Sequence, residues 1–453
     1  MKISNRPYDT LSPGDSAELR RLITPDDLFV FAASSGNFNP MHLPGMDGDG
    51  DGQPDNVAPG MFIASLISGV LGTLLPGPGT LYESQTLTFD TRAHAGDEVL
   101  CRVTVLEKLP QGRLRLKTEV TRPRDTALIL TGEAVVIAPA TPFARDDLEV
   151  PGLIVQRHRH FADLLARAEG LPPLPTAVVC PHDPNALDGA LLAAEKGLIQ
   201  PVLVGDPARI AALGRDVAGL EVIAVKGDEA ASAAACTLVH QGRVGAVMKG
   251  HLHTDDLLRP ILASGTGLRV GRRLTHVFVL DVPGLPHPLL VSDAAINIAP
   301  DLPTKVDIVQ NAIDLSLSLG LPPRVGVLSA VEVVNPAIQS SLDAALLSKM
   351  AERGQITGGL VDGPLAMDNA VDLQAARVKG LKGGVAGQAN ILIVPGIDAG
   401  NMLVKQLSFV SHAEAAGLVM GAKVPVILTS RADGPMARLV SCAVAALHRA
   451  RVG

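Results

Sequence analysis

The sequence predicts an α+β domain followed by an α/β domain of two lobes, with parallel sheets and a central cleft. β-rich runs dominate as far as about residue 145 and surround one strongly apolar helix. From about residue 171 onward, short apolar strands alternate with helices. Between the two regions, residues 138–152 combine several prolines with a run of acids, the composition of a linker. The boundaries that follow are 1–145 for the first domain, 146–170 for a linker and first helix, and 171–453 for the second domain.

In the first domain the predicted strands are 86–91, 100–106, 113–120 and 128–137, rich in β-branched residues and separated by turn signals such as His94-Ala95-Gly96-Asp97. The helix begins after Pro59 and covers 61–75. It is apolar on nearly all sides, which predicts burial all round. In the second domain the strands are 177–179, 201–205, 244–249, 277–280, 289–291, 324–328, 391–394 and 424–428. Helices are expected over 185–196, 207–213, 306–319, 340–352 and 402–407. Near-continuous apolar strands separated by helices belong to sheets covered on both faces.

Composition narrows the function. The 453 residues carry 39 Lys and Arg against 46 Asp and Glu, a net charge of −7, which gives no electrostatic footprint for nucleic acid. Aromatic residues make up 2% with no Trp, so no base-stacking platform is expected. Gly, Pro or charge interrupts every apolar stretch short of the roughly 18 residues a membrane span needs, and the start lacks a secretory apolar region. Cys101, Cys180, Cys236 and Cys442 lie far apart and read as reduced thiols with no metal or disulfide role. These features predict a cytoplasmic protein acting on small molecules, without nucleic-acid or membrane partners.

The segment Ser35-Gly36-Asn37-Phe38-Asn39-Pro40-Met41-His42 stands between a predicted helix and an irregular loop. With Ala58-Pro59-Gly60-Met61-Phe62 downstream, it resembles the MaoC-like enoyl-CoA hydratases. That resemblance implies a hot-dog fold, an Asp–His pair for water addition, and a helix start at Gly60 whose N–H groups hold the thioester carbonyl. Asn37 stands where the family carries its Asp, and a carboxamide does not exchange a proton in the working range. Hydration is therefore expected to be impaired, leaving His42 as the titratable member of the pair. Asp47, Asp49, Asp51 and Asp55 fit positions 1, 3, 5 and 9 of a calcium loop, but Ala58 replaces the bidentate Glu at position 12. A solvated acidic turn is the favoured reading of this loop.

Four polar stretches of the second domain follow predicted strands or run into turns: 249–260, 292–297, 354–366 and 429–434. Loops at the carboxyl ends of parallel strands are where open α/β sheets place ligands. In this order the stretches resemble the phosphate acetyltransferase and phosphate butyryltransferase family over about 170–450, with runs 328–370 and 385–433 leaning toward the butyryl branch. Together with the first domain, the chain resembles bifunctional enoyl-CoA hydratase/phosphate acetyltransferases.

The resemblance implies acyl transfer between CoA and phosphate, with acyl-CoA, phosphate and acyl phosphate as partners. CoA is then a substrate, no cofactor or metal is bound, and the assembly is a homodimer or higher homo-oligomer. Arg431 is the expected grip on phosphate, with Arg259 as an alternative. Ser430 is similar to the family's Ser in its Ser-Arg pair and is the expected oxyanion donor. The acetyl branch carries an Asp seven residues after that Ser; Ala437 stands there, which leaves Asp433 as the substitute base. Lys249, Thr254, Asp293, Asn297, Thr357 and Gly60 complete the candidate binding residues. His251 and His253 form an H-x-H without a third ligand nearby, so no metal is expected. A non-catalytic sensor of CoA thioesters is the alternative from another class. A dehydrogenase of the isocitrate type is disfavoured by the missing glycine-rich fingerprint.

Overall fold

The computed structural model describes residues 3–148, 155, 159–429 and 434–452. The chain divides into two compact units, 1–155 and 156–453. Among the described residues no helix is long and apolar enough to cross a membrane.

In the first unit, β1 (Ile3–Ser4) and β2 (Ser16–Leu22) lead into α1 (Pro25–Ser35). Thr24 and Asp27 start α1 reciprocally: the Asp27 N–H donates to the Thr24 hydroxyl, and the Asp27 carboxylate accepts from the Thr24 N–H at 2.9 Å. Gly36, at φ 73°, ends it in the left-handed conformation that a glycine adopts most cheaply. Next come α2 (Gly60–Thr73), β3 (Leu81–Gln85), β4 (Thr88–Phe89), β5 (Glu98–Leu109), β6 (Arg113–Arg122) and β7 (Ala127–Ile137). The sheet is antiparallel in the order β2-β5-β6-β7-β3, with β4 also beside β7. Alternate residues of β5 and β6, among them Val99, Cys101, Val103, Leu114 and Leu116, close on Phe62, Ile63, Leu66, Ile67 and Val70 of α2. One helix laid on a curled antiparallel sheet is the hot-dog arrangement that the motif implied.

Three local expectations change. α2 is not buried all round: Met61, Ser65, Ser68, Gly69 and Gly72 face solvent, and most of these are too small to demand cover. The strand expected over 86–91 is shortened to β4 at 88–89 and separated from β3, which ends at Gln85; at Thr86 between them the hydroxyl, in place of the backbone carbonyl, accepts from the Glu133 N–H at 3.0 Å. The expected linker contains β8 (Ala144–Arg145), paired with β1; a two-residue strand leaves no periodic pattern to read.

The second unit opens with α3 (Arg159–Ala168), β9 (Leu174–Val179), α4 (Pro184–Glu195), β10 (Ile199–Gly205), α5 (Pro207–Ala211), β11 (Glu221–Ala224), α6 (Asp228–His240), β12 (Ala246–Lys249) and α7 (Thr254–Leu262). It continues with β13 (Thr275–Asp281), β14 (Leu289–Ser292), α8 (Leu302–Ser318), β15 (Arg324–Leu328), α9 (Gln339–Glu352) and β16 (Leu360–Leu365). The remaining elements are α10 (Met367–Val371), α11 (Leu373–Val378), β17 (Ile391–Ile393), α12 (Ile397–Phe409), β18 (Glu414–Met420), β19 (Val426–Ile427) and α13 (Pro435–Val452).

The strands form one sheet in the order β11-β10-β9-β12-β19-β18-β13-β14-β17-β15-β16. Strands β11 through β19 run parallel, as do β14, β17, β15 and β16, but the two sets point in opposite directions. The antiparallel pairs of β18 with β19 and β13, and of β13 with β14, reverse the direction and join the sets. Separate parallel sheets were expected; short apolar strands do not declare their direction, and β18 was not foreseen. The sheet is covered on both faces. Val178 and Met248 face a core shared with α4, α8 and α13, while Val179 and Val247 face one shared with α6 and α7.

Candidate functional site

A cavity of about 840 Å³ opens where β12 and β19 end. It takes Lys249 from the end of β12, Leu252, His253 and Thr254 from the start of α7, and His276 and Phe278 from β13. From the oppositely directed half of the sheet, α12 contributes Asn401, Val404, Lys405 and Phe409. Thr429 and Gly434 also line it. Ser430, Arg431 and Asp433 lie outside the described residues, between these two wall positions.

Of the expected binding residues, Lys249 and Thr254 reach this cavity. Lys249 is only 4% exposed, as the last residue of a central strand must be. Arg259 does not reach it: on α7 it turns outward to the Glu229 carboxylate, with Asp256 at 4.0 Å, and its side chain is 62% exposed. Asp293 is buried and holds its own loop, accepting from the N–H groups of Ala295, Ile296 and Asn297 at 3.0, 3.1 and 3.2 Å. The Asn297 amide closes the loop, donating to Asp293 at 2.6 Å and to the Leu274 carbonyl at 2.9 Å. Thr357 stands before β16, exposed, exchanging two bonds of 3.0 Å with the Gln310 side chain. Asp293, Asn297 and Thr357 therefore read as loop and strand connections.

Sequence reasoning missed His276, which lines the cavity, and Arg438, which holds the lining residue Thr429 from behind. Fully buried His276 donates from Nε2 to the Leu428 carbonyl at 3.4 Å, which leaves Nδ1 as the unprotonated nitrogen, buried and without a hydrogen-bond partner. Burial pushes its pKa below the ordinary imidazole range, and the Asp293 charge opposes this. Arg438 on α13 is 3% exposed and donates from Nη1 to the Thr429 hydroxyl at 2.8 Å. An isolated His in a strand and an Arg in an amphipathic helix carry no sequence signal; only the fold brings the one to the wall and the other to Thr429.

The two histidines of the H-x-H have different surroundings. His253 lines the cavity, whereas His251 Nδ1 bonds the Asp183 carboxylate at 2.6 Å. Behind it, ligand-type atoms of Cys180, His182 and Asp228 lie within 4.8 Å of one another. The His182 Nε2 lone pair is already taken by the Asp206 N–H at 3.0 Å, and the Cys180 thiol donates to Asp228 at 3.6 Å. In a neutral ring held this way the proton sits on Nδ1, so neither nitrogen keeps a free lone pair for a metal. All four cysteines are free and buried, and burial raises the Cys180 thiol to about 12.

In the first unit a cavity of about 550 Å³ is lined by His42, Val57, Gly60, Met61, Phe89 and Asp90, among others. His42 Nδ1 faces the Val57 carbonyl at 2.8 Å, an acceptor only, so Nδ1 carries the proton and Nε2 is the unprotonated nitrogen. α2 starts at Gly60 without a side-chain cap, leaving its first N–H groups available at the wall. Asn37 does not line the cavity; its Oδ1 accepts from the Asn39 N–H at 3.3 Å. The structure thus brings His42 and Gly60 together and leaves Asn37 out. In the acidic loop, Asp47 accepts from the N–H groups of Gly50 and Gly52 at 2.6 and 2.8 Å, and these bonds hold its carboxyl below the usual range. Its carboxylate serves the loop's own backbone, as a solvated acidic turn requires.

The profile of the phosphate acetyl/butaryl transferase family matches residues 223–446. The chain is 56% identical over 293 residues to a phosphate acetyltransferase of Rhizobium meliloti, an alignment covering 64% of this chain and 93% of the relative. A phosphate butyryltransferase of Clostridium beijerinckii is 40% identical over 298 residues, covering 65% of this chain and 99% of the relative. Identity is higher to the relative named for the acetyl reaction, against the lean read from the two long runs. A branched-chain phosphotransacylase from Enterococcus faecalis superposes with a TM-score of 0.55 at 30% identity, covering 61% of this chain and 99% of that structure. Through residues that include the cavity of β12 and β19, the chain belongs to the phosphate acetyl/butaryl transferase family.

Proposed function

We propose that the chain moves a short acyl group between CoA and inorganic phosphate: acyl-CoA + phosphate ⇌ acyl phosphate + CoA. The observation that carries this is the 56% identity spanning 93% of a relative named phosphate acetyltransferase. A phosphate oxygen attacks the thioester carbonyl carbon; the C–O bond forms, the C–S bond breaks, and CoA leaves as thiolate. Arg431 grips the phosphate with its fork of N–H donors, and Ser430 donates to the tetrahedral oxyanion. In the reverse direction Asp433 takes the thiol proton. The placement of Thr429 and Gly434 on the cavity wall supports these roles. Lys249, His253, Thr254 and Lys405 offer polar contacts, while Phe278, Val404, Leu428 and Met436 offer an apolar wall for the acyl chain.

The first unit binds CoA thioesters at the start of α2, with His42 on the cavity wall; its hydration is impaired because the family's Asp is replaced by Asn37, whose side chain is moreover tied to its own turn and does not line the cavity. The protein works in the cytoplasm as a homodimer or larger homo-oligomer, and the reaction uses no bound cofactor.

The test is release of free CoA thiol from a panel of acyl-CoAs, with and without phosphate. Phosphate-dependent release is expected, and Arg431→Ala should raise the KM for phosphate by at least tenfold. Absence of release from every ester, with the esters still bound, would replace this reading with that of a non-catalytic CoA-thioester sensor.

A further inference from the structure

A second cavity of the α/β unit, about 430 Å³, lies at the opposite end of β19. Val424 and Pro425, just before β19, line it, whereas Leu428 and Thr429, just after, line the cavity described above. With a strand rise of about 3.3 Å per residue, the two walls stand roughly 13 Å apart along one strand.

The charge of this second cavity is one-sided. Its lining carries Arg272, Lys423, Arg449 and Arg451, with Asp314 as its one carboxylate. Arg272 pairs with Asp314 at 2.6 Å. Arg451 donates to the backbone carbonyl of Leu317, which neutralises nothing. Lys423 and Arg449 form no ion pair among the described residues. Three cations thus remain uncompensated around one concavity in a chain whose net charge is −7. Buried His448, also on the wall, reports the same field: burial lowers its pKa first, Asp314 opposes this, and Arg449 and Arg451 lower it further. Clustered like charges repel unless a counter-charge joins them. Arg forks together with a Lys point charge suit phosphoryl oxygens in particular.

We propose that this cavity is a binding site for a small phosphate-bearing polyanion, separate from the acyl-transfer site. The second phosphoryl group distinguishes the ligand from the orthophosphate substrate, since three cations match more than one anionic oxygen pair. Asn311, whose amide is committed to the Arg273 carbonyl and the Thr275 hydroxyl at 3.1 and 3.0 Å, fixes the floor.

The experiment is calorimetric titration of the full chain with inorganic pyrophosphate, compared with Lys423→Gln/Arg449→Gln and with Arg431→Ala. Wild type and Arg431→Ala should bind with similar affinity, while the double variant weakens binding at least tenfold. Its phosphate KM in acyl transfer should stay within about twofold of wild type. The single Lys423→Gln variant, at an exposed position, guards against misfolding and should show an intermediate loss. Absence of binding to wild type overturns the proposal, as does binding lost in Arg431→Ala but kept in the double variant. A double variant that changes the sedimentation coefficient, with no pyrophosphate bound to wild type, would assign these cations to a contact between copies instead. The binding outcomes do not depend on whether the acyl-transfer assignment holds; only the KM comparison does.

Discussion

The Arg438 guanidinium and the Thr429 hydroxyl meet at 2.8 Å, both residues almost wholly buried, one turn into α13 and two residues past the end of β19. The bond ties the long C-terminal helix to the residue that precedes the expected Ser-Arg pair, so Arg438 is a positioning residue. Arg438→Gln should lower kcat/KM about tenfold or more, since a hydrogen bond from a charged donor contributes about 1.5–3 kcal/mol. The change should appear in the phosphate KM as well as in kcat, which separates it from simple loss of folded enzyme. Equal kinetics for the folded variant would remove the positioning role.

The same guanidinium arm runs across α4 at Gly189, where an added Cβ would stand 2.5 Å from Arg438 Cδ. Gly189→Ala must push the arm aside, an overpacking cost of roughly 1–3 kcal/mol. The denaturation midpoint should fall, and kcat/KM should fall with it, because the Thr429 bond is displaced too. A helix-stabilising Gly→Ala gain with unchanged kinetics would show that the arm has another place to lie.

Gly417 of β18 is paired with Phe278 of β13 and lies diagonally across from His276, and an added Cβ on Gly417 would stand 2.6 Å from the imidazole. The ring is also held by Phe278, with centroids 4.2 Å apart, so it has little room to retreat. Gly417→Ala should destabilise the α/β unit by about 1–3 kcal/mol. Adding His276→Ala should recover part of that loss, which a double-mutant cycle in urea measures as a coupling of about 0.5 kcal/mol or more. Strict additivity would mean that the ring moves freely.

These relationships mark the limit of what the chain discloses by itself. That Lys249 and Thr254 reach the cavity is foreshadowed locally, because Lys249 ends an apolar strand and Thr254 opens a helix, a pattern of sequence neighbours. His276, Asn401 and Lys405 come to the same wall, and Arg438 to the wall residue Thr429, from elements far apart in the chain, and nothing local to them signals it. Arg259 misled for the converse reason: the sequence shows an Arg beside a polar loop, but not the Glu229 carboxylate on α6 that turns it outward. In the same way the strands of the second unit were visible as apolar runs, while their directions depend on β18, whose Glu-Ala-Ala-Gly start hides a seven-residue pairing with β13.

Beneath the sheet, Lys305 Nζ and the Asp343 carboxylate form an ion pair at 2.6 Å with side chains 5% and 6% exposed, and the Gln339 amide donates to the same carboxylate at 2.8 Å. Removing one partner strands a buried charge. Lys305→Met should cost about 3–5 kcal/mol in chemical denaturation, and Lys305→Met/Asp343→Leu markedly less. A double variant as unstable as the single would show that the pair contributes more through its bonds than through mutual neutralisation.

In the first unit, Asn37 and His42 have different relations to the cavity, and this decides what restoring the family's carboxylate does. Asn37 Oδ1 accepts from the Asn39 N–H, and an Asp makes that same turn with a stronger acceptor. Asn37→Asp should therefore leave the carboxylate on its own backbone, and crotonyl-CoA hydration should rise by no more than about threefold, far below the 10²–10⁴ that a positioned acid–base group supplies. His42 lines the cavity with Nε2 unprotonated, so His42→Ala should abolish whatever hydration the wild type shows. A hundredfold gain in Asn37→Asp would instead mean that the turn opens when ester binds, and that the carboxamide alone holds the reaction back.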